Sequence, residues 1–411
     1  MQDRDLYNQI LGLRKPWSVL DVDLDAKAGQ VTLTIGLAAG AELACPECEK
    51  ARPRYDARLR RWRHLDTCQF QTILEAEVPR VECLEHGVKQ VRVPWAEPGS
   101  RFTALMEAVV IDWLRAMGAI SAVAKQMRLS WGEVDSIMAR AVKRGLARRQ
   151  RVRVECLGVD ETSFQRRHEY VTIVTDLATG TVLHVADDRK RESLAAYFRS
   201  LSGDQLEAIE SVAMDMWGAF IAVTREFVPD ADRKIAFDKF HVAQHLGDAL
   251  DRVRREEHRK LLEEGNDVLK GSKFLWLSNS GNLDPAQALA MDAFQKMNLR
   301  TGRAWALKES AMCIWHYVSR SRAKTEWAAW LSKAMRSRLE PMKKVARMIR
   351  THLWGIVNAM ALRTTNAGSE SVNAKVQRIK RTACGFRNRE RFRNAIYFHL
   401  GGLELHPAVS G

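Results

Sequence analysis

Residues 154–160, VECLGVD, form an apolar run that closes on a carboxylate, and residues 211–215, SVAMD, repeat the plan. Between them, YVTIVTDLATGTVLHVADD (170–188) reads as a hairpin around a Thr-Gly turn, and ESLAAYFRSL (192–201) as a helix. WGAFIAVTREF (217–227) is a second helix, and KIAFDKFHVAQHL (234–246) is a strand running into a third. Strand, strand, strand, helix, strand, helix is the order of an α/β layer, here with acids gathered at strand ends.

Outward from this segment the pattern changes on both sides. Residues 246–360 are long helical stretches without a strand signal. They carry six of the twelve tryptophans (276, 305, 315, 327, 330, 354), which at such spacing are more often core than nucleobase platforms. TTNAGSESVNAKVQRIKR (364–381) then reads as a capped helix. On the N-terminal side, residues 17–37 read as two short strands around the turn AKAG. After the basic stretch YDARLRRWRHLD (55–66) come two more strand-like runs, QTILEAEVP and KQVRVPW. Pro94 and the EPGS run at 97–100 mark a boundary. ALMEAVVIDWLRAM (104–117), ISAVAKQM (120–127) and WGEVDSIMARAVKRG (131–145) are three helices, the last with Ser130 as N-cap and Glu133 three residues on. A short helix, a tight turn and a helix bearing basic residues follow the helix-turn-helix plan.

The 411 residues hold 65 Lys+Arg against 50 Asp+Glu, a net charge of +15, with 46% apolar residues. This composition excludes collagenous, low-complexity and wholly disordered chains. No apolar window approaches the roughly 20 residues that span a bilayer, and MQDRDLYNQI has no signal-peptide core. The charge excess favours a polyanion, nucleic acid before membrane. Seven cysteines, two of them in a Cys-x-x-Cys, suit a reduced chain that binds metal rather than a disulfide framework.

Three constellations carry chemistry. Cys45-x-x-Cys48 and Cys83-x-x-His86 are two knuckles that together make a tetrahedral, structural Zn²⁺ site of zinc-ribbon type. The bland reading is two unrelated pairs, and Cys68 between them is a possible competing ligand. From Arg140 to Arg153 there are seven basic residues and no acid, so Arg140, Lys143, Arg144, Arg148 and Arg149 are expected to contact DNA phosphates; a solvated charged face is the alternative. Asp160, Asp215 and Glu370 form the third set. Phosphoryl transfer on DNA needs two divalent ions held by carboxylates on rigid elements, although one acid at a strand end is by itself most often a turn or cap residue.

The segments CPEC, YDARLRRWRHLD, PRVECLEHGV, VPWAEPGSRFT, LGVDETSF, AMDMW, FDKFHV and NAGSESVNAKVQRIKRTACGFRN together resemble the ISL-three family of bacterial insertion-sequence transposases, over about residues 15–402. The resemblance implies an RNase-H-like core with an Asp-Asp-Glu triad falling on Asp160, Asp215 and Glu370, and Mg²⁺ or Mn²⁺ at those acids. It also implies an all-helical insertion between the second aspartate and the glutamate, preceded by an Asp-x-x-His motif that matches Asp238 and His241 in a supporting role. The 155-residue gap from Asp215 to Glu370 accommodates that insertion. Glu370, Asn373, Gln377 and Lys380 share one helix face, so Asn373 and Lys380 are also expected to support the site. Lys375, Arg378 and Arg381 belong to a run of eight basic residues with one acid, placed for backbone binding.

The expectation is therefore a multidomain α+β chain. A zinc ribbon occupies 1–98 and a helix-turn-helix 99–153. The RNase-H-like α/β core spans 154–245, a helical insertion 246–360, and the final core helix with the tail 361–411. Its implied work is Mg²⁺-dependent cleavage and strand transfer at the inverted-repeat ends of its own element, on end and target duplex DNA, as a homodimer or larger assembly. It is expected in the bacterial cytoplasm, on the nucleoid through DNA. A zinc-dependent DNA-binding regulator that cuts nothing, or another RNase-H-like nuclease, are the rival readings.

Overall fold

The computed structural model describes residues 2–150, 152–165, 169–188, 190–364 and 367–408. They divide into two compact units. Residues 1–150, 382–385 and 403–411 form one, and residues 151–381 and 386–402 the other.

In the first unit a short helix α1 (Asp3–Ile10) precedes strands β1 (Trp17–Asp25), β2 (Gln30–Leu37), β3 (Arg54–Arg63), β4 (Gln71–Cys83) and β5 (Gly87–Gln90). The sheet order is β1-β2-β4-β3, with β5 also on β4, and only the β2–β4 pair is parallel. The basic stretch 55–66 is thus strand as far as Arg63: Arg60 and Arg61 are exposed while Trp62 is buried. Trp62 and Trp17 both meet Trp95 edge-on, at 5.3 and 5.1 Å between ring centroids. Three helices follow: α2 (Ala104–Met117), α3 (Ile120–Met127) and α4 (Trp131–Arg148). Gly118, in the left-handed region at φ 71°, ends α2, and Ser130 and Glu133 close a capping box on α4.

The expected boundary near residue 98 is not a linker. Ala104 N–H donates to Trp95 O at 2.8 Å, and His64 Nδ1 lies 2.8 Å from Thr103 Oγ1, so ribbon and helices share one packed body. Residues 403–408 belong to this unit rather than to the catalytic segment. Leu405 is fully buried, Arg148 donates to His406 O at 2.7 Å, and His406 Nε2 meets Asp112 at 2.9 Å.

The second unit holds β6 (Cys156–Gln165), β7 (Glu169–Asp176), β8 (Thr181–Ala186), α5 (Arg191–Arg199), α6 (Gly203–Glu207), β9 (Ser211–Met214), α7 (Gly218–Phe227), α8 (Ala231–Lys234) and β10 (Ile235–Phe237). The sheet order is β10-β9-β6-β7-β8, with β6, β7 and β8 antiparallel and β9 and β10 parallel to β6. After β10 come α9 (Lys239–Glu263), α10 (Lys273–Leu277), α11 (Pro285–Lys296), α12 (Arg300–Ile314), α13 (Arg320–Arg336) and α14 (Glu340–Leu362), without a strand among the described residues. The chain then returns through α15 (Ala367–Thr382) and α16 (Arg389–Leu400). Trp276, Trp327 and Trp330 are buried and join the sheet residues Leu157, Val212 and Phe237 in one apolar cluster. α14 crosses β10 closely: a Cβ on Gly355 would stand 2.5 Å from the Phe237 ring. Asn358 on the same helix donates to the carbonyls of Asp232 and Ile235, both at 2.8 Å.

Candidate metal centre and catalytic site

In the first knuckle, Glu49 at φ 60° returns its N–H to Cys45 O at 2.9 Å, and Cys45 N–H donates to Lys50 O at 3.0 Å. The second knuckle caps the β4–β5 hairpin, where Cys83 pairs with Gly87. The ligand atoms of Cys45, Cys48, Cys83 and His86 all lie within 4.8 Å of one another. Cys48 and Cys83 Sγ are 3.8 Å apart; His86 Nδ1 is 3.5 Å from Cys83 Sγ and 3.8 Å from Cys45 Sγ. A tetrahedral Zn²⁺ with bonds of about 2.3 Å to sulfur and about 2.0–2.1 Å to nitrogen has edges near 3.8 Å between sulfurs and 3.5 Å between sulfur and nitrogen, so these spacings suit zinc. Burial pushes the Cys83 thiol up, but His86 and the N–H groups of Glu85 and His86 outweigh it and bring its pKa down to about 6. Arg52 faces the sulfurs of Cys83 and Cys48. Three thiolates and an imidazole around Zn²⁺ carry one net negative charge, and this guanidinium offsets it. Cys68 is exposed and stands outside the set.

The acids come together differently. Asp160 lies inside β6, not at its end, because pairing with β7 continues to Gln165. Asp215 directly follows β9 and Asp238 directly follows β10, where it caps α9 through Phe240 N–H at 3.2 Å. Since β9 flanks β6 and β10 flanks β9, the three aspartates face one neighbourhood. Burial first, then the charges of Asp238 and Asp215, push the Asp160 carboxyl up to about 6, against Glu161 N–H and His241. Glu370, in the first turn of α15, is also raised, by desolvation and then by Asp238, with His241 opposing. The set is looser than the cysteine knuckles: among the described residues, only the Cys45–His86 group has every ligand atom within 4.8 Å of the others.

One face of α15 runs along β6. Asn373 Nδ2 donates to Asp160 Oδ2 at 2.7 Å, Gln377 Nε2 to Thr162 Oγ1 at 2.8 Å, and Lys380 Nζ to Ser163 O at 2.9 Å. Val372 and Val376 are buried beside this row. Lys380 is therefore committed to the strand, and Asn373 is the residue that grips an acid. Lys375, Arg378 and Arg381 on the same helix are exposed. Gly158 lets the helix in: a Cβ there would stand 2.2 Å from Ser369 Oγ and 2.7 Å from Leu177 Cδ2. Sequence reading missed this contact, although a glycine two residues before the first acid, inside a strand, was the available signal.

The basic run on α4 needs correction. Arg140 and Arg144 turn inward, onto Glu107, which is only 1% exposed: Arg140 Nη2 at 2.7 Å and Arg144 Nη2 at 2.8 Å. Arg144 also holds Glu97 and the carbonyl of Leu405. A buried carboxylate must be paired, and these two guanidinia meet that need; Arg144 is buried with it, while the Arg140 side chain stays 27% exposed. Lys143 and Arg148 are exposed, Arg149 is half-buried, and Arg151 lies outside the described residues.

A family model described as a transposase matches residues 157–396, more than half of the chain. This chain belongs to the ISL3 transposase family. The helix-turn-helix model of transposase family ISL3 matches residues 91–142. The zinc-finger model of transposases IS204/IS1001/IS1096/IS1165 matches residues 42–86. The transposase is 29% identical, over 418 residues, to the transposase for insertion sequence element IS1557 of Mycobacterium tuberculosis (strain ATCC 25618 / H37Rv), covering 94% of this chain and 93% of that one. It is 27% identical to the transposase for insertion sequence element IS1001 of Bordetella parapertussis over 398 residues, 95% and 97% of the two chains. The family assignment makes the protein a DNA-binding enzyme with a zinc ribbon. No described helix is long and apolar enough to cross a membrane.

Proposed function

We propose that the transposase binds the terminal inverted repeats of its element and cuts and rejoins DNA by in-line phosphoryl transfer, with Asp160, Asp215 and Glu370 as the metal-holding triad. The observation that carries this reading is the convergence of acids on Asp160: a carboxyl raised first by burial, and further by two aspartates that follow separate neighbouring strands, is a site short of positive charge. Its donors are hard carboxylate oxygens, which fit Mg²⁺ or Mn²⁺ and not a soft ion. Asp160, Asp215 and Glu370 would hold a pair of such ions, whose positive charge would supply activation of the attacking oxygen and stabilisation of the leaving one. The looseness of the acid set relative to the zinc knuckles suits such a pair.

The antiparallel triple β6–β7–β8 continued by parallel β9 and β10 supports an RNase-H-like core, and α9–α14 supports a helical insertion between β10 and α15. Asn373 fixes the Asp160 carboxylate, and Glu161 N–H fixes its other oxygen at 2.7 Å, so its lone pairs keep one orientation. His241 offsets the mutual repulsion of the acids, and Asp238 adds a further negative charge to the site. Lys375, Arg378 and Arg381 would hold backbone phosphates beside the cut, while Lys143, Arg148 and Arg149 would do so on the helix-turn-helix. Pairing two element ends calls for a dimer or larger assembly.

The test is nicking of a labelled end duplex in Mg²⁺ beside a gel shift on the same DNA. Wild type should nick at the element end and lose the activity in EDTA. A protein that binds the duplex and never nicks it is the regulator.

A further inference from the structure

Two acid-x-aromatic steps lie side by side at the site. β9 and β10 pair in parallel with Met214 opposite Phe237, so Asp215 and Asp238 leave their strands in the same register. Asp238 N–H still reaches Met214 O, at 3.4 Å. Trp217 and Phe240 each follow their acid by two residues. Trp217 N–H turns back onto Asp215 O at 2.7 Å, and Phe240 N–H onto Asp238 Oδ1 at 3.2 Å, so each aromatic is tied by its own backbone to the acid before it.

Both rings are outside the core. Trp217 is 41% exposed and Phe240 53%, whereas Met214, Phe220 and Phe237 behind them are 1% exposed or less. The Phe240 ring stands edge-on to His241, centroids 5.9 Å apart, and His241 acts electrostatically on both Asp160 and Glu370. Phe240 is thus in ring contact with a residue that acts on the acids, and Trp217 follows Asp215 after the neighbouring strand. α15, the helix that carries Glu370, exposes Lys375, Arg378 and Arg381 to a phosphate backbone. Aromatic faces beside cations and metal-binding acids are complementary to a polyanion that has bases to stack, and an apolar partner surface would leave those cations unmatched.

We propose that Trp217 and Phe240 form a stacking platform for unpaired nucleobases at the DNA end being cut. This rests on the reading of Asp160, Asp215 and Glu370 as the cleavage site. A phosphate within a paired duplex end is hemmed in by its base pairs. A base that leaves the stack returns unless another π-face holds it. Stacking on a ring tolerates any base, so the platform holds the end open while sequence is read elsewhere.

The experiment uses the full chain with Trp217→Ala, Phe240→Ala, the double variant, and Trp217→Phe as the conservative control. Nicking is compared on a fully paired end duplex and on the same duplex with the pairs flanking the cut mismatched. The double alanine variant should nick the paired duplex at least about tenfold more slowly than wild type and the mismatched one within about threefold of it, with Trp217→Phe close to wild type on both. Equal losses on both duplexes, or no loss on either, overturn the platform; so does a change in oligomeric state that accompanies the loss, since the rings then belong to a protein interface. A 2-aminopurine placed beside the cut, read with Ca²⁺ in place of Mg²⁺, reports base capture without cleavage. Wild type should change its fluorescence and the double variant should not. If wild type nicks neither duplex, the cleavage assignment fails, and this signal still decides the platform: a response equal in wild type and double variant overturns it.

Discussion

The zinc knuckles and the acid set are both four-residue constellations, yet they are built in opposite ways. Each knuckle is made within six residues by its own turns, and the two meet because β4 and β5 bring them together. The acids sit on two neighbouring strand ends, a strand interior and a helix 210 positions after Asp160, and nothing local sets their separation. What positions Glu370 is the fit of α15 on β6 through Gly158, Ser369 and the Asn373–Asp160 hydrogen bond. A site held by local turns has its ligand spacing set within each knuckle, and the metal ties the two together. A site held by packing can be lost through a methyl group placed away from the chemistry.

The comparison can be broken from the zinc side first. Purified protein should carry about one zinc per chain, and Cys45→Ser should lose it. Structural zinc supplies on the order of 10 kcal/mol to a small module, so the ribbon should unfold and end binding fail while the second unit keeps its own cooperative transition. Unchanged zinc content in Cys45→Ser by metal analysis rules the site out.

The acid side is next. Asp160→Asn, Asp215→Asn and Glu370→Gln should each slow nicking by roughly 10²–10³ or more with the gel shift near normal. Asp176→Asn and Asp187→Asn are the controls and should keep measurable activity. Asp176 accepts from Ala178 N–H in a turn at 2.9 Å, and Asp187 is paired with Arg393 at 3.0 Å. Robust nicking by any triad variant removes that residue from the set.

Within the first unit, Arg144→Ala should cost about 3–5 kcal/mol in denaturant unfolding, because it strips a partner from the buried Glu107. Lys143→Ala should leave stability alone and lower the salt slope of DNA binding by about one. The reverse outcome would make Arg144 the phosphate ligand.

His64 gives a pH-dependent test of the same unit. Burial, with Arg63 adding to it, lowers its pKa from 6.5 to about 4, so the folded unit holds it neutral. The unfolded chain takes up the proton first, and the stabilisation is complete above about 6.5 and is lost as pH falls towards 4. The span amounts to about 3 kcal/mol. Unfolding curves of His64→Gln should be flatter than wild type between pH 5 and 7; parallel curves would exclude the effect.

The smallest expected effect tests the packing claim directly. Gly158→Ala should lower nicking about tenfold by lifting the first turn of α15, with zinc content, DNA binding and unfolding midpoint nearly unchanged. Full activity in that variant would show that the contact yields without moving Glu370.

Much of this molecule is written in short stretches. The Cys-x-x-Cys and Cys-x-x-His spacing, the Ser130–Glu133 capping box, the hairpin around Gly180 and the apolar runs before Asp160 and Asp215 are local patterns. Each is fixed by backbone geometry over a few residues, and the structure holds them, except that the first strand runs on past Asp160. The family resemblance, carried by motifs spread from about residue 15 to residue 402, is equally a property of the chain as written.

Charge partners are not. A run of seven basic residues is the same string whether a side chain faces solvent or Glu107, and only the packing of α2 against α4 turned Arg140 and Arg144 inward. The place of residues 403–408 beside the DNA-binding helices, the extension of β6 past Asp160 and the seat of α15 over Gly158 likewise depend on segments far apart in sequence. No local pattern encodes them, because the free energy that selects them comes from burial and pairing that exist only once those segments meet.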